Sequence, residues 1–319
     1  MRAFAPTSVV APPFRPRASP YRSTLARASA SWADRHGLTA DPQRVARLHR
    51  ANAAELAARA APDADIDRVQ LLSDLITWLF ALDDRCDEDG LGTDPGRVAP
   101  VISQLMRALD GPGATPPTDP DDPAERSPLT LTLEDLCHRI RRLGRPGVLL
   151  RFTASLHQYL FALLWEAGNR QQGRVPAVAE YIQMRRHAGA VLPSFALTDL
   201  AESGLPHSRH RVDPRLARLN TVAADLVCWC NDLFSYGKEH GQDPHNLATV
   251  IAHETGHGPA AALATAAERF NDGLALFLRL QAEVLTDAPP SVARLVATRR
   301  NWIRGTYDWS VNSSRYQPG

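Results

Sequence analysis

Two clusters of oxygen-bearing side chains have the spacing of a site for a hard cation. The first is Phe80-Ala81-Leu82-Asp83-Asp84-Arg85-Cys86-Asp87-Glu88-Asp89, which closes a long apolar stretch. On a helix, Asp83 and Asp87 project from one face and Asp84 is turned away by about 100°. A helix C-terminus already carries partial negative charge, so gathering acids there is costly unless a cation offsets them. Hard carboxylate oxygens suit Mg²⁺, which takes one or two carboxylates together with water and substrate phosphate. The plainer alternative is a solvated acidic helix end. The apolar approach from Leu71 to Leu82 weighs against it, because it buries the helix up to the first acid.

The second cluster is Asn231-Asp232-Leu233-Phe234-Ser235-Tyr236-Gly237-Lys238-Glu239. Asn231, Ser235 and Glu239 recur every fourth residue and form one helical stripe, drifting by only about 40° per step. An amide oxygen, a hydroxyl and a carboxylate make a low-charge ligand set that leaves room for phosphate and water on the same ion. Lys238 adjoins the stripe and can meet a phosphate as a point charge. The alternative, a polar surface face with an Asn-to-Ser hydrogen bond, sits badly with the apolar run Leu226–Cys230 just upstream.

Both clusters require long helices, and helices are what the remaining sequence offers. Strand-type alternation and Asn-Gly hairpins are absent. Helical periodicity marks Arg44–Ala60, Asp65–Glu88, Pro95–Leu109, Leu129–Leu143, Val148–Asn169, Val178–Leu200 (broken around Gly189 and Pro193), Pro214–His240, His245–His253, Pro259–Leu285 and Pro290–Asn312. Asp110–Pro128, dense in Pro, Gly and Asp, reads as a surface loop, and its Asp119-Pro120-Asp121-Asp122 run as a solvated linker. The expectation is an all-α bundle, with residues 30–319 as one domain.

The bulk composition excludes several other classes. In 319 residues, 36 Lys+Arg offset 35 Asp+Glu, and the net charge of +1 gives no electrostatic case for nucleic acid or a membrane surface. No apolar run appears long enough for stable membrane insertion. Cys86, Cys137, Cys228 and Cys230 lack zinc-type spacing and fit a reduced, cytoplasmic compartment. The first 33 residues carry no Asp or Glu and several Arg, Ser and Pro. They resemble a transit peptide in composition, but without a clear amphipathic helix before Ala30 the expectation over 1–29 is a flexible basic arm. His253-Glu254-Thr255-Gly256-His257 matches the zinc-protease pattern, yet Gly256, Gly258 and Pro259 end any helix there. Arg299-Arg300 reads as part of a helix face rather than a nucleic-acid patch.

The two clusters together resemble the bacterial class I terpene synthases. Asp83, Asp84 and Asp87 match that family's DDxxD element, the second cluster matches NDxxSxxKE at every defined position, and Arg315-Tyr316 matches its terminal RY pair. The likeness runs from about Ala30 to Tyr316. It implies a class I terpenoid synthase bundle in which three Mg²⁺ (Mn²⁺ as a substitute) hold the diphosphate of a prenyl diphosphate between the two motifs. Asp83 would bridge two ions, and Asn231, Ser235 and Glu239 would hold the third. Arg185, Lys238 and Arg315 would neutralise the diphosphate, and Tyr316 would donate to it. The family also implies a sensor Arg and an effector residue at a helix break. Arg185 and Gly189 fit, with Arg186 as the alternative sensor, but the linker position between them, often Asp, Thr or Ser, is Ala188 here. Phe80 and Trp309 are candidate cation stabilisers, with plain core packing the alternative.

The reaction implied is ionisation of a prenyl diphosphate and cyclisation of the cation, with farnesyl diphosphate the family's commonest substrate and geranyl or geranylgeranyl diphosphate the alternatives. A chain-elongating prenyltransferase would usually carry two aspartate-rich motifs. A non-catalytic helical interaction protein would not need both ligand sets intact. The family also implies pairing into a homodimer.

Overall fold

The computed structural model describes residues 8–111, 127–202, 210, 212–241 and 243–316. Among the described residues there is no strand. The helices are α1 (Arg22–Arg35), α2 (Pro42–Ala51), α3 (Ala53–Ala60), α4 (Ile66–Asp87), α5 (Pro95–Asp110), α6 (Pro128–Arg142), α7 (Pro146–Gln172), α8 (Val178–Ala188), α9 (Val191–Ala201), α10 (Pro214–Glu239), α11 (Leu247–Thr255), α12 (Pro259–Leu285) and α13 (Pro290–Asn312). Local chemistry sets the boundaries. Asp65, Asp213 and Asn246 cap α4, α10 and α11 by accepting a backbone N–H of the first turn. Pro95, Pro128, Pro214, Pro259 and Pro290 each open a helix, where the missing N–H costs nothing.

Two helices are buried on every side for more than two turns: α4 from Leu71 to Leu79 and α10 from Val222 to Cys230. All-round burial of this kind, with apolar residues in the majority, places a helix inside the bundle. Around α4 stand α1, α3, α6 and α9, while α10 is flanked by α8, α12 and α13. A single contiguous core runs through the whole assembly. Both central helices therefore deliver their C-terminal acids out of the core.

Several sequence expectations change. The stretch expected as one helix, Arg44–Ala60, is two, split at Asn52 in the left-handed conformation with φ 47°, which Asn tolerates better than most residues. The split frees the Ala51 carbonyl to accept the Trp309 indole N–H at 3.0 Å. Residues 1–29 do not behave as a flexible arm from Ser8 onward. Asn271 receives the Val10 N–H and donates to the Ser8 carbonyl, Arg304 donates to the Pro12 carbonyl, Phe14 meets Phe277 edge-on, and the Ser19 N–H reaches the Ala58 carbonyl. Helix α1 also begins before Ala30. Its inward face carries the polar Ser29, which bonds Ser73 and Asp74, and this hides it from an apolar-periodicity reading. Helix α7 is long and apolar enough to cross a membrane by length and composition, despite its interrupting Thr, Ser, His and Gln residues; here it lies against α5, α8 and α9. The Asp119–Asp122 run lies outside the described residues.

Arg299 is not on a polar face. It is 3% exposed and forks onto the 1% exposed Asp199, with Nη1 at 2.7 Å and Nη2 at 3.1 Å, while its guanidinium lies 4.0 Å above the Phe195 ring. The pair ties α13 to α9. Removing one member of a buried pair strands the other, so Asp199→Ala is expected to cost about 3–5 kcal/mol, read as a lower urea midpoint at unchanged slope. A loss below about 1 kcal/mol would contradict this reading of the pair.

Candidate active site

The C-terminal halves of α4 and α10 face one another across a cavity of about 330 Å³, whose walls also come from α3, α7, α13 and the α8–α9 break. Its depth is apolar and aromatic, through Ile76, Leu79, Phe80, Val227, Trp302 and Trp309. Its mouth is polar and charged, through Asn231 and through Asp83, Asp87, Arg185, Glu239 and Arg315. A small apolar chamber under a ring of charges has the makeup of a site for an amphiphilic anion.

The two acid clusters are held by arginines. Arg315 Nη2 donates to Asp83 at 2.7 Å and to Asp84 at 3.1 Å, and its guanidinium sits 4.5 Å above the Phe80 ring. Arg185 donates Nε to Asp232 and Nη2 to the Asn231 side-chain oxygen, both at 2.9 Å. The guanidinium is a pure donor, so it fixes which end of the Asn231 amide is oxygen. The Asn231 amide nitrogen donates to the Tyr316 hydroxyl at 2.7 Å. Asp232 also accepts from the Tyr181 hydroxyl at 2.7 Å, making it the buried counter-ion of Arg185. Lys238 pairs with Glu88 at 2.5 Å and so links the two motifs across the mouth.

Most of the residues expected from sequence meet here. Phe80 and Trp309 stack at 5.8 Å with planes 17° apart, and Tyr316 meets Trp309 edge-on. Arg185 lines the cavity, whereas Arg186 turns aside to pair with Asp225. Two side chains are off the cavity wall. Asp84 faces α2 and Arg315, as its rotation along the helix requires, and the Ser235 hydroxyl leans on the Asp232 carbonyl at 3.4 Å. The zinc-type pattern comes to nothing: His253 and His257 are exposed, α11 ends between them, and Glu254 accepts the Val178 N–H instead.

The helix break differs in detail from expectation. Gly189 has an ordinary φ of −74°, and the left-handed residue is Ala190 at φ 50°. Gly189 is required for space, since a Cβ there would stand 2.6 Å from the Cys228 sulfur and 3.0 Å from the Arg185 carbonyl. The Cys228 thiol donates to that same carbonyl at 3.4 Å. Contact between the end of α8 and α10 thus runs through Asp225, Cys228, Asn231 and Asp232, and Ala188 needs no polar side chain to make it.

Sequence reasoning missed Arg170, Asp243, His245 and Asn246. Arg170 donates to Asp87 at 2.8 Å and to Asp243 at 2.5 Å. Asn246 donates to Glu239 at 2.9 Å. These residues belong to a helix end and a loop, where no periodic signal marks them.

The acids differ in how well they are neutralised. Arg170 and His245 hold the Asp243 carboxyl well below the usual range against its burial. Burial and then the neighbouring Asp83 push Asp87 up. Glu239 is pushed up to about 7, chiefly by burial, with only the Asn246 amide favouring its charged form through a hydrogen bond. A recessed carboxylate without a cation of its own, next to an amide and a hydroxyl, is a donor set that fits a hard divalent metal.

Because folded Glu239 keeps its proton to about 7 against 4.5 when free, the metal-free protein is expected to lose stability as pH rises across that interval. The Glu239 share is about 1–3 kcal/mol. Thermal melts from pH 4.5 to 8 in chelator should show a shallower decline for Glu239→Gln than for the parent. Parallel curves would refute the assignment.

Comparison with known proteins agrees with this geometry. Residues 74–275 match the family "Terpene synthase family 2, C-terminal metal binding". A (+)-T-muurolol synthase of Roseiflexus castenholzii, described as (2E,6E)-farnesyl diphosphate cyclizing, is 36% identical over 96% of this chain and 92% of its own. A (+)-(1(10)E,4E,6S,7R)-germacradien-6-ol synthase of Streptomyces pratensis is 33% identical over 90% of this chain and 80% of its own. The crystal structure of an ancestrally reconstructed protein, SVS_A2, superposes with a TM-score of 0.86 at 26% identity, covering 95% of this chain and 90% of that one. The chain belongs to the terpene synthase family and is a class I terpene synthase, a divalent-metal-dependent lyase acting on the carbon–oxygen bond of a prenyl diphosphate.

Proposed function

We propose that the enzyme ionises farnesyl diphosphate with three Mg²⁺ ions and cyclises the farnesyl cation to a terpene hydrocarbon or alcohol, releasing diphosphate. The observation that carries this reading is the charged mouth set directly over the aromatic chamber. The farnesyl chain length is supported by the muurolol synthase, whose description names farnesyl diphosphate.

In this reading Asp83, Asp84 and Asp87 hold metal on the α4 side, and Asn231, Ser235 and Glu239 hold it on the α10 side. Bound Mg²⁺ supplies positive charge to the departing diphosphate. Mn²⁺ has the same preference for hard oxygen ligands and is an expected substitute. Arg185, Arg315 and Lys238 place fixed positive charge around the same anion, where it counts most as the carbon–oxygen bond breaks. Tyr316 adds a hydroxyl donor. Ser235 joins by giving up its weak bond to the Asp232 carbonyl. Phe80 and Trp309 present stacked ring faces to the chamber, and such faces attract a cation that has left its counter-ion. Ile76, Leu79 and Val227 exclude water until the cation is spent.

Purified protein incubated with geranyl, farnesyl and geranylgeranyl diphosphate and Mg²⁺ is expected to yield a cyclic volatile from the farnesyl substrate. Nothing beyond spontaneous hydrolysis would overturn the proposal. Asp83→Ala and Asn231→Ala are each expected to lower turnover more than about 100-fold, with far-UV spectra and melting midpoints near those of the parent; activity retained in both would remove the metal-ligand assignment.

A further inference from the structure

The end of α7 enters the mouth of the cavity and belongs to neither motif. From its last turn, Arg170 extends a side chain that is only 16% exposed. Its Nη2 lies between Asp87 of α4, at 2.8 Å, and Asp243 just beyond α10, at 2.5 Å, and its Nη1 points to the Gly92 carbonyl at 3.4 Å. The space is cut to fit, since a Cβ on Gly92 would stand 2.8 Å from Arg170 Nη1.

What Arg170 grips is itself anchored. The other oxygen of Asp243 accepts the His245 backbone N–H at 2.9 Å and the His245 ring Nδ1 at 2.8 Å. With Nδ1 donating, the other ring nitrogen is free to accept from the Asn169 amide, 3.0 Å away on α7. The next residue, Asn246, donates to Glu239 at 2.9 Å and to the Asp232 carbonyl at 2.8 Å. One continuous path therefore runs from Asp87 through Arg170, Asp243 and the His245-Asn246 turn to Glu239. Without the guanidinium, Asp87 and Asp243 would face each other with no positive charge between them, and only the His245 hydrogen bonds would remain on Asp243.

We propose that Arg170 is a positioning residue that sets the spacing of the two metal-binding arrays by clamping Asp87 and the Asp243 turn before any metal arrives. The proposal rests on the ligand reading of Asp87 and Glu239 given above. It follows that loss of Arg170 weakens capture of metal more than it slows the chemical step. Groups that orient ligands rather than bind metal typically change metal affinity about 10–100-fold.

The test uses Arg170→Lys, which keeps one charged contact, and Arg170→Gln. Hydrogen exchange of the metal-free proteins is expected to speed up in peptides covering residues 84–92 and 243–247, with the α12 core unaltered. Calorimetric titration of Mg²⁺ with inorganic diphosphate present is expected to show affinity weakened about 10–100-fold in Arg170→Gln and less in Arg170→Lys. In turnover assays the half-saturating Mg²⁺ concentration should rise by more than kcat falls. Exchange that is unchanged, or faster everywhere alike, would overturn the proposal, as would a collapse of kcat at unaltered metal affinity. If Arg170→Gln does not fold, Arg170→Lys alone decides. Exchange in the metal-free protein needs neither metal nor substrate, so a failure of the farnesyl diphosphate reading leaves this result separately readable.

Discussion

Repulsion among carboxylates is the constraint around which this molecule is arranged. Helices α4 and α10 each end in acids, at the pole of the helix where negative charge is least welcome, and both ends meet at one cavity mouth. Burial makes the repulsion worse by removing water. The described structure answers with arginines: Arg315 on Asp83 and Asp84, Arg170 between Asp87 and Asp243, and Arg185 on Asp232. Among the described acids of the two motifs, Glu239 has no cation paired to it, and burial leaves its pKa raised. On the proposed reading a divalent cation would complete the neutralisation, and an anion brought with the metal would then engage the arginines. On that reading, the same tension among the acids would make the mouth selective for metal and diphosphate together.

The rest of the fold holds this charge beside an apolar chamber. Helices α4 and α10 are buried on all sides from Leu71 to Leu79 and from Val222 to Cys230, so the acids follow closely on the core. Interruptions elsewhere supply what regular helices cannot. The break at Asn52 exposes the Ala51 carbonyl that anchors Trp309, and the break at Gly189 and Ala190 brings the Arg185 carbonyl within reach of Cys228. Close approach rather than unusual backbone geometry explains Gly189. Sulfur and carbonyl occupy the space any side chain would need.

Sequence alone reached most of the helices and both motifs because each of these carries a periodic or positional signal. Asn231, Ser235 and Glu239 recur at the helical repeat, Asp83 and Asp87 share a face, and Pro or capping residues mark most boundaries. It also foresaw the departure of Asp84 from that face. What it could not see was formed by contacts between distant segments. Arg170 looks like an ordinary residue of a helix end, Asp243 and His245 sit in a turn, and Arg299 reads only as part of a helix face until Asp199 is brought against it from another helix. The segment from Ser8 to Phe14 looked unstructured because its anchors, Asn271, Phe277 and Arg304, lie more than 250 residues away. The membership in the terpene synthase family was visible from three short motifs, and the surrounding apparatus that holds their acids apart was not.

The central claim is that the acids of α4 and α10 form one divalent-metal site that receives a diphosphate. It is tested most directly by a crystal structure grown with inorganic diphosphate and Mn²⁺, whose anomalous signal marks each ion. The account predicts anomalous peaks beside Asp83 on one side and among Asn231, Ser235 and Glu239 on the other, with the diphosphate between them and Arg315 or Arg185 turned onto its oxygens. Diphosphate bound without metal at these residues, or metal bound elsewhere with both arginines still on their carboxylates, would contradict it.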